Sequence, residues 1–456
     1  MMKALTTIIL SLGILLLINS CNQDTRNDKA ITEFSSNIIF PYQDEHVHGS
    51  TIVELPNGDL ITAWFQGSGE RWADDVKILG SRLVKGDTAW SSTFLMADVR
   101  GFPDINPILF MDTQKRLWLM WYPVLANQWE TSIPMYRISE NYSSEGAPVW
   151  AWQDVLFVKV GDKTERGIQP GDRFVKQVEE QLKEYESYLN SALLPNVPDS
   201  VKKSISIEWA KYKAKMDSLA KGENMIRSGR IQGIDKESSS QLGYPLTRRL
   251  GWQTKNKAVF IGERMVVPLY SDGFDCSLFA ISDDGGVNWV FSNPVLGGAG
   301  IQPTIAIGRD SMLVAYLRDN GPPPQRMQRT ESSDRGMTWS IPKDDQLPNP
   351  GSGFDLVTLN SGEWVMVFNN TEDGRHNLTV ALSDDDGKTW KWKKAIENDD
   401  RGENATSSHY PSVIQGKDGR IHVSYSFHRK DIKPGRTIKY VSFPLNWIKN
   451  ENNVEK

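Results

Sequence analysis

The sequence predicts an all-β fold, a six-bladed β-propeller with an inserted α-helical hairpin, and three observations lead there. A motif of the form Ser-x-Asp-x-Gly-x-x-Trp occurs three times, at Ser282–Trp289, Ser332–Trp339 and Ser383–Trp390, with starts 50 and 51 residues apart. A hairpin-like unit of two apolar strands recurs six times along the chain. One segment alone abandons strand patterning for a helical period. Self-similarity at about 40–50 residues marks propeller blades or a similar array, whose units bury their faces against one another.

Within the motif each residue type suits a tight turn between strands. The Asp accepts hydrogen bonds from turn amides, the Gly takes an unusual backbone angle, and the Trp packs between blades. These Asp residues are therefore read as builders of turns with no part in chemistry. An imperfect copy, Ser81 to Trp90, stands in the first blade.

The chain opens with Lys3, an apolar run from Ile8 to Ile18, and then Asn19-Ser20-Cys21. The run is too short to span a bilayer and has the form of a signal-peptide core. The small residue before Cys21 resembles a bacterial lipobox, which implies a lipoprotein signal peptide over 1–20 and a lipid on Cys21. The protein would then sit in the bacterial cell envelope, held to the membrane by that anchor only. Residues 21–40 read as a tether and 41–450 as the propeller. The other cysteine is Cys276, so neither an intrachain disulfide nor a cysteine metal site is expected once Cys21 is lipidated. Stability must come from a core, for which 16 Trp, 16 Phe and 13 Tyr are ample. A net charge of −5 argues against nucleic acid as a partner, which calls for a basic patch.

The six hairpin units begin at His48, Asn106, Lys257, Gln302, Asp355 and Tyr410. Each has a short apolar strand, a turn with Gly, Asp or charge, and a β-rich strand ending in an aromatic residue or Leu. A seventh, degenerate blade would have to lie between Val149 and Val160. The helical insertion is expected over 165–225, between blades two and three. Phe174, Val178, Leu182, Tyr185 and Leu189 form one apolar stripe; after Pro198, Asp199 can cap a second helix carrying Val201, Ile205, Trp209, Tyr212, Met216 and Leu219. The stripes are expected to pack on the propeller, and the hairpin could also wall one edge of a cleft.

The innermost strand of a blade starts on the face where its second strand ends, and the repeated turns lie on the opposite face. Polar residues before inner strands and after second strands should therefore converge on one axial opening. Of the six histidines, His46, His48, His376, His409 and His428 fall in such places, and His422 lies inside a strand. The same face collects Glu70, Arg71, Asp74 and Asp75 from blade one, Tyr122, Gln128 and Trp129 from blade two, and Tyr270 and Asp272 from blade three. Blade four adds Gln302, Arg318, Asn320 and Arg326, blade five Asn369, Asn370 and Arg375, and blade six Tyr410 and Arg429. A pocket so rich in cations, imidazoles and phenols suits an anionic substrate. His46 and His48, two apart on one strand, could hold a metal with His409, or form a hydrogen-bonded structural pair. The preferred reading makes His48 a catalytic acid or base partnered by His409. No cofactor is expected, with a structural cation left open.

The three motifs resemble the Asp-boxes of the sialidase-like propellers, and the resemblance covers nearly all of the exported chain. Exo-sialidases of that superfamily carry Arg-Ile-Pro on the first inner strand, its Arg one of three that grip the sialate carboxylate. Here His48-Gly49-Ser50 stands in the corresponding place. The resemblance would give Arg318, Arg375 and Arg429 as cations, Asp74 or Asp75 as an acid and Tyr410 as a nucleophile. The stretch from Phe65 to Asp75, with Glu70-Arg71-Trp72 at its centre, is similar instead to propeller enzymes that act at rhamnose–glucuronic acid junctions. The expected activity is β-elimination on an acidic, uronate-containing oligosaccharide, by a lyase or a uronate dehydratase. Arg318 and Arg71 would neutralise the carboxylate, His48 would act with His409 or Tyr410, and His46, Glu70, Asn320, Arg375, His376 and Gln302 would complete the binding site. Hydrolysis by an exo-α-sialidase or α-L-rhamnosidase, and non-catalytic glycan binding, are the alternatives.

Overall fold

The computed structural model describes residues 34–160, 171–220 and 250–450. The expected signal peptide, Cys21 and most of the expected tether lie outside the described residues. Six antiparallel sheets form the blades, as the repeats predict. Strand β1 (Ser35–Ile38) belongs to the last of them. Blade one is β2 (His46–Glu54), β3 (Leu60–Gly67), β4 (Lys77–Leu83) and β5 (Phe94–Ala97). Blade two is β6 (Asp104–Met111), β7 (Leu117–Pro123), β8 (Met135–Ser139) and β9 (Trp152–Val155). In blade three the inner edge is split into β10 (Gln253–Thr254) and β11 (Val259–Ile261), followed by β12 (Arg264–Ser271), β13 (Cys276–Ser282) and β14 (Val290–Phe291). Blade four is β15 (Ile301–Ile307), β16 (Leu313–Arg318), β17 (Arg326–Ser332) and β18 (Lys343–Pro348). Blade five is β19 (Asp355–Thr358), β20 (Trp364–Phe368), β21 (Asn377–Ser383) and β22 (Trp392–Asn398). Blade six is β23 (Ser407–Gln415), β24 (Ile421–His428), β25 (Arg436–Phe443) and β1.

Successive blades touch around the axis through β6 against β2, β2 against β23, and β15 between β12 and β19. With neighbours on both sides, the central strands bury both faces; all eight residues of β3 and all seven of β7 are buried. Such strands read as unbroken apolar runs, which is why the repeats stand out in the sequence. The stretch at Val149 to Val160 contains β9, the outer strand of blade two, and so forms no seventh blade. The ring is closed by β1, which pairs antiparallel with β25 from Ser35↔Ser442 to Ile38↔Lys439. Residues 35–38 therefore belong to the propeller and not to a tether. Phe34 fastens this strand by stacking on Trp447 at 4.8 Å.

The Asp-boxes of blades three, four and five are the turns between third and fourth strands. In the first, Ser282 Oγ accepts a bond from the Gly286 amide at 2.8 Å, and Asp284 Oδ1 accepts from the Val287 and Asn288 amides at 3.1 and 2.9 Å. Gly286 has φ +89°, and a Cβ there would lie 2.3 Å from the ring of Trp118. Trp339 stacks on Phe279 of the preceding blade with centroids 3.9 Å apart. The motif carboxylates are thus spent on their own turns.

The insertion is a helical hairpin of α1 (Arg173–Tyr188) and α2 (Asp199–Ala220). Phe174, Val178 and Leu182 are buried in one cluster with Trp252, Phe274 and Leu296 of blade three, and Tyr185, Leu189 and Ile205 pack with Ile341 of blade four. Asp199 lies in the first turn of α2, whose opening amides at Val201 and Lys202 bond to the Pro198 carbonyl. Leu219 is among residues whose side chains lie outside the described set.

Candidate active site

Four inner strands carry the same irregularity at the axis. Pairing slips by one residue after His48, Ile105, Ile301 and His409, so that each strand holds a bulge. The next residue adopts a left-handed conformation in every case: Gly49 at φ +65°, Asn106 at +45°, Gln302 at +53° and Tyr410 at +52°. For a residue with a side chain this costs on the order of 1–2 kcal/mol, and such strain clusters where it aims groups at a functional site. In blade one the residue must be glycine, because a Cβ would meet Asn106 Oδ1 and the Phe65 ring at 2.7 Å.

The three strained side chains are joined across the axis. Asn106 Nδ2 donates to the Tyr122 and Tyr270 hydroxyls at 3.2 and 3.3 Å, and Gln302 Nε2 donates to Tyr410 Oη at 3.0 Å. Arg318 Nη1 donates to the same Tyr410 oxygen at 2.9 Å. Both partners of that oxygen are donors, so it acts as an acceptor and its own proton is left for a ligand. The residues just before two of the bulges are His48 and His409, which therefore hold equivalent places in blades one and six. Their Nδ1 atoms are 3.2 Å apart, close enough to share one proton, and Ser426 Oγ lies 3.0 Å from His48 Nδ1. The Tyr410 ring leans on the His48 ring with centroids 4.2 Å apart. His428 completes the imidazole cluster, 4.6 Å from His409, and its Nε2 is 2.9 Å from the Val47 carbonyl.

Around this cluster opens a cavity of about 530 Å³. Its cations are Arg71, Arg318, Arg375 and Arg436, and its only carboxylates among the described residues are Glu70 and Asp272. Burial, followed by the charge of neighbouring imidazoles and Arg375, holds His48 and His409 well below the usual histidine range. Burial, with Arg436 next, lowers His46 to about 4, and His428 also lies at about 4, chiefly through burial. The four rings are therefore neutral at neutral pH. Burial raises Asp272 to about 6 and pushes Glu70 upward, against the pull of nearby arginines. Lys255, wholly enclosed, is lowered by burial to about 8 and lies 5.2 Å from the Tyr410 ring. The Arg71 guanidinium stacks between Trp72 and Trp129 at 4.5 and 4.9 Å, which fixes it at the mouth.

The axial face thus gathers His46, His48, Glu70, Arg71, Tyr122, Trp129, Tyr270, Asp272, Gln302, Arg318, Asn320, Arg375, His409, Tyr410 and His428, as the blade geometry predicts. His376 is not among them: it lines a neighbouring cleft with Asp373, Arg401 and Thr406, bordered like the axial pocket by Arg375, because the loop after β20 carries it outward. Asp75 is held by the Ser68 amide and hydroxyl, Arg326 pairs with Glu372, and Arg429 pairs with Asp431. Asn369 bonds to the Asn377 and Ser408 carbonyls as a structural brace. Sequence reasoning missed Asn106, Lys255, Ser426 and Arg436 as parts of the site. Arg436 begins a third strand, which starts on the same face as the second ends. Asn106 carried a legible signal: Asn106-Pro107, Gln302-Pro303 and Tyr410-Pro411 repeat an x-Pro step, and a proline inside a strand marks a bulge. Among the described residues no group of three or more His, Cys, Asp or Glu is arranged to hold a metal ion.

Fold and site together define a six-bladed propeller with a cationic, imidazole-rich axial pocket. The chain belongs to the family described as BNR repeat-like domain, whose pattern it matches over residues 58–158 and 253–423, and so to the sialidase-like BNR propellers. It is similar to the anhydrosialidase of Macrobdella decora, at 26% identity over 220 residues, or 41% of this chain. The match spans only 27% of that relative's length. In fold it resembles a protein of unknown function from Dyadobacter fermentans, with TM-score 0.59, 12% identity, 90% of this chain and 97% of that one covered. It likewise resembles the intramolecular trans-sialidase from Ruminococcus gnavus, with TM-score 0.58, 12% identity, and 91% and 99% covered.

Proposed function

We propose that the axial pocket is the active site of an enzyme that acts on a carboxylate-bearing sugar of an oligosaccharide by β-elimination. The observation that carries this reading is the Tyr410 hydroxyl, which accepts bonds from Arg318 and Gln302 and lies against the neutral His48 ring. In this reading the proton shared by the two Nδ1 atoms sits on His48, leaving its Nε2 as a lone-pair base. Arginines neutralise the sugar carboxylate, which makes the C5 proton acidic, and His48 removes it. The electron pair forms the C4–C5 double bond as the C4–O bond breaks. Tyr410 gives its proton to the departing oxygen, and the two donors on its own oxygen stabilise the phenolate left behind. A departing sugar makes the enzyme a lyase, and departing water from an end residue makes it a dehydratase.

A second reading is hydrolysis, with Tyr410 as nucleophile and Asp272 as proton donor. It is favoured by the likeness to proteins named as an anhydrosialidase and an intramolecular trans-sialidase and by an Asp272 carboxyl at about 6. Against it, no described carboxylate bonds to the Tyr410 hydroxyl to take its proton. Incubation with uronate-rich oligosaccharides separates the two. Ultraviolet absorbance from a conjugated double bond is expected, whereas free sialic acid or a saturated reducing sugar without it would overturn elimination. The lipobox-like sequence ending at Cys21 supports placing this chemistry at the envelope, which lipid labelling that disappears in Cys21→Ala would test.

A further inference from the structure

A second cavity, of about 470 Å³, lies between the helical hairpin and blade four, beside the axial pocket. The two are neighbours: Asn320, in the loop after β16, borders both. The volume is within the ~300–1,000 Å³ of small-molecule sites. One wall is aromatic. Trp209 of α2 stacks on Tyr212 with centroids 5.8 Å apart and leans on Tyr185 at 5.0 Å. Its charge is opposite to that of the axial pocket. Lys211 pairs with Glu208 and Lys215 with Asp275, while Asp319 and Asp344 form no ion pair among the described residues. Burial holds these two carboxyls at about 7 and about 6. Gln328, only 3% exposed and lining the same groove, has an Oε1 that accepts no hydrogen bond.

We propose that this groove is a subsite for neutral sugar units that continue the chain whose acidic residue occupies the axial pocket. The substrate is thus a mixed oligosaccharide, acidic at the unit attacked and neutral beyond it. A ring face stacks on an indole, and its hydroxyls donate to the carboxyl oxygens of Asp344. A second carboxylate sugar would meet Asp344, with Lys211 and Lys215 already paired and no other cation among the described lining residues, which disfavours a uronate homopolymer. The inference rests on the axial pocket holding an acidic sugar.

The test is a calorimetric titration of the full exported chain with glucuronic acid, glucuronosyl-xylotriose, sialic acid, 3′-sialyllactose, galacturonic acid and tetragalacturonate. We expect glucuronosyl-xylotriose or 3′-sialyllactose to bind at least about tenfold more tightly than its acidic monosaccharide, and tetragalacturonate to gain nothing over galacturonate. That ratio should fall towards one in Trp209→Ala, and also in the isosteric Asp344→Asn, which keeps the helix packing intact. Monosaccharide binding with no gain on extension, an equal gain for tetragalacturonate, or an unchanged ratio in both variants would overturn this inference and leave the axial reading standing. No binding of any probe would overturn both.

Discussion

Tyr410→Phe isolates the proton that the mechanism spends on the leaving group. The ring stays, with its contacts to His48, Lys255 and Arg375, and only the oxygen that accepts from Arg318 at 2.9 Å and Gln302 at 3.0 Å is removed. Leaving the buried Gln302 and the half-buried Arg318 without that acceptor should cost about 1–3 kcal/mol of stability, a modest fall in melting temperature for a chain this size. Loss of a positioned general acid should lower kcat by about 10²–10⁴-fold with little change in KM. The decisive assay compares two substrates that differ in what departs from C4. A sugar hydroxyl needs the proton, whereas a nitrophenol departs without it, so the deficit of the variant should shrink sharply on the nitrophenyl substrate. An equal deficit on both, or activity equal to that of the unsubstituted protein, would refute the assignment of Tyr410 as acid.

The acidic limb of kcat/KM should lie below the ordinary histidine value near 6.5, because burial and neighbouring charge lower His48; a limb at or above that value would contradict a buried neutral base. Stability should also depend on these rings. His46 and His428 bind protons near pH 4 when folded and near 6.5 when unfolded, so stability is full above 6.5 and falls as the pH drops towards 4, by up to about 3 kcal/mol per ring. Asp104, Asp272 and Asp319, raised by burial, work in the opposite sense, so the comparison is with His428→Gln, which should lose part of the acid sensitivity in denaturant titrations. Gly286→Ala should destabilise the fold by roughly 2–4 kcal/mol, from overpacking against Trp118 and a left-handed alanine, without altering ligand affinity. Removing residues up to Ile38 should lower the unfolding midpoint, because β1 closes blade six and burying an aromatic side chain such as Phe34 alone contributes up to about 1.5–3 kcal/mol.

The blades were legible because their central strands are buried on both faces and leave unbroken apolar runs, while the Asp-boxes punctuate them at a fixed period. The helical hairpin announced itself by its change of period. The closing strand did not: Ser35–Ile38 is exposed along its length and carries no alternation, and its place follows from ring closure. In the site, counting faces found the histidines and Arg318, Arg375 and Tyr410. It failed for His376, since a loop long enough to turn outward breaks the rule. What the sequence could not give was the distance between His48 and His409, 361 residues apart. It depends on the closed ring, which no local pattern encodes, whereas the bulge at Tyr410 is marked locally by the Tyr410-Pro411 step.

The reaction itself is tested most directly by product mass after turnover in water enriched in heavy oxygen. Elimination by the axial pocket predicts an unsaturated uronate product that carries no heavy oxygen. A saturated sugar that has taken up one heavy oxygen atom would contradict it and assign Tyr410 to hydrolysis.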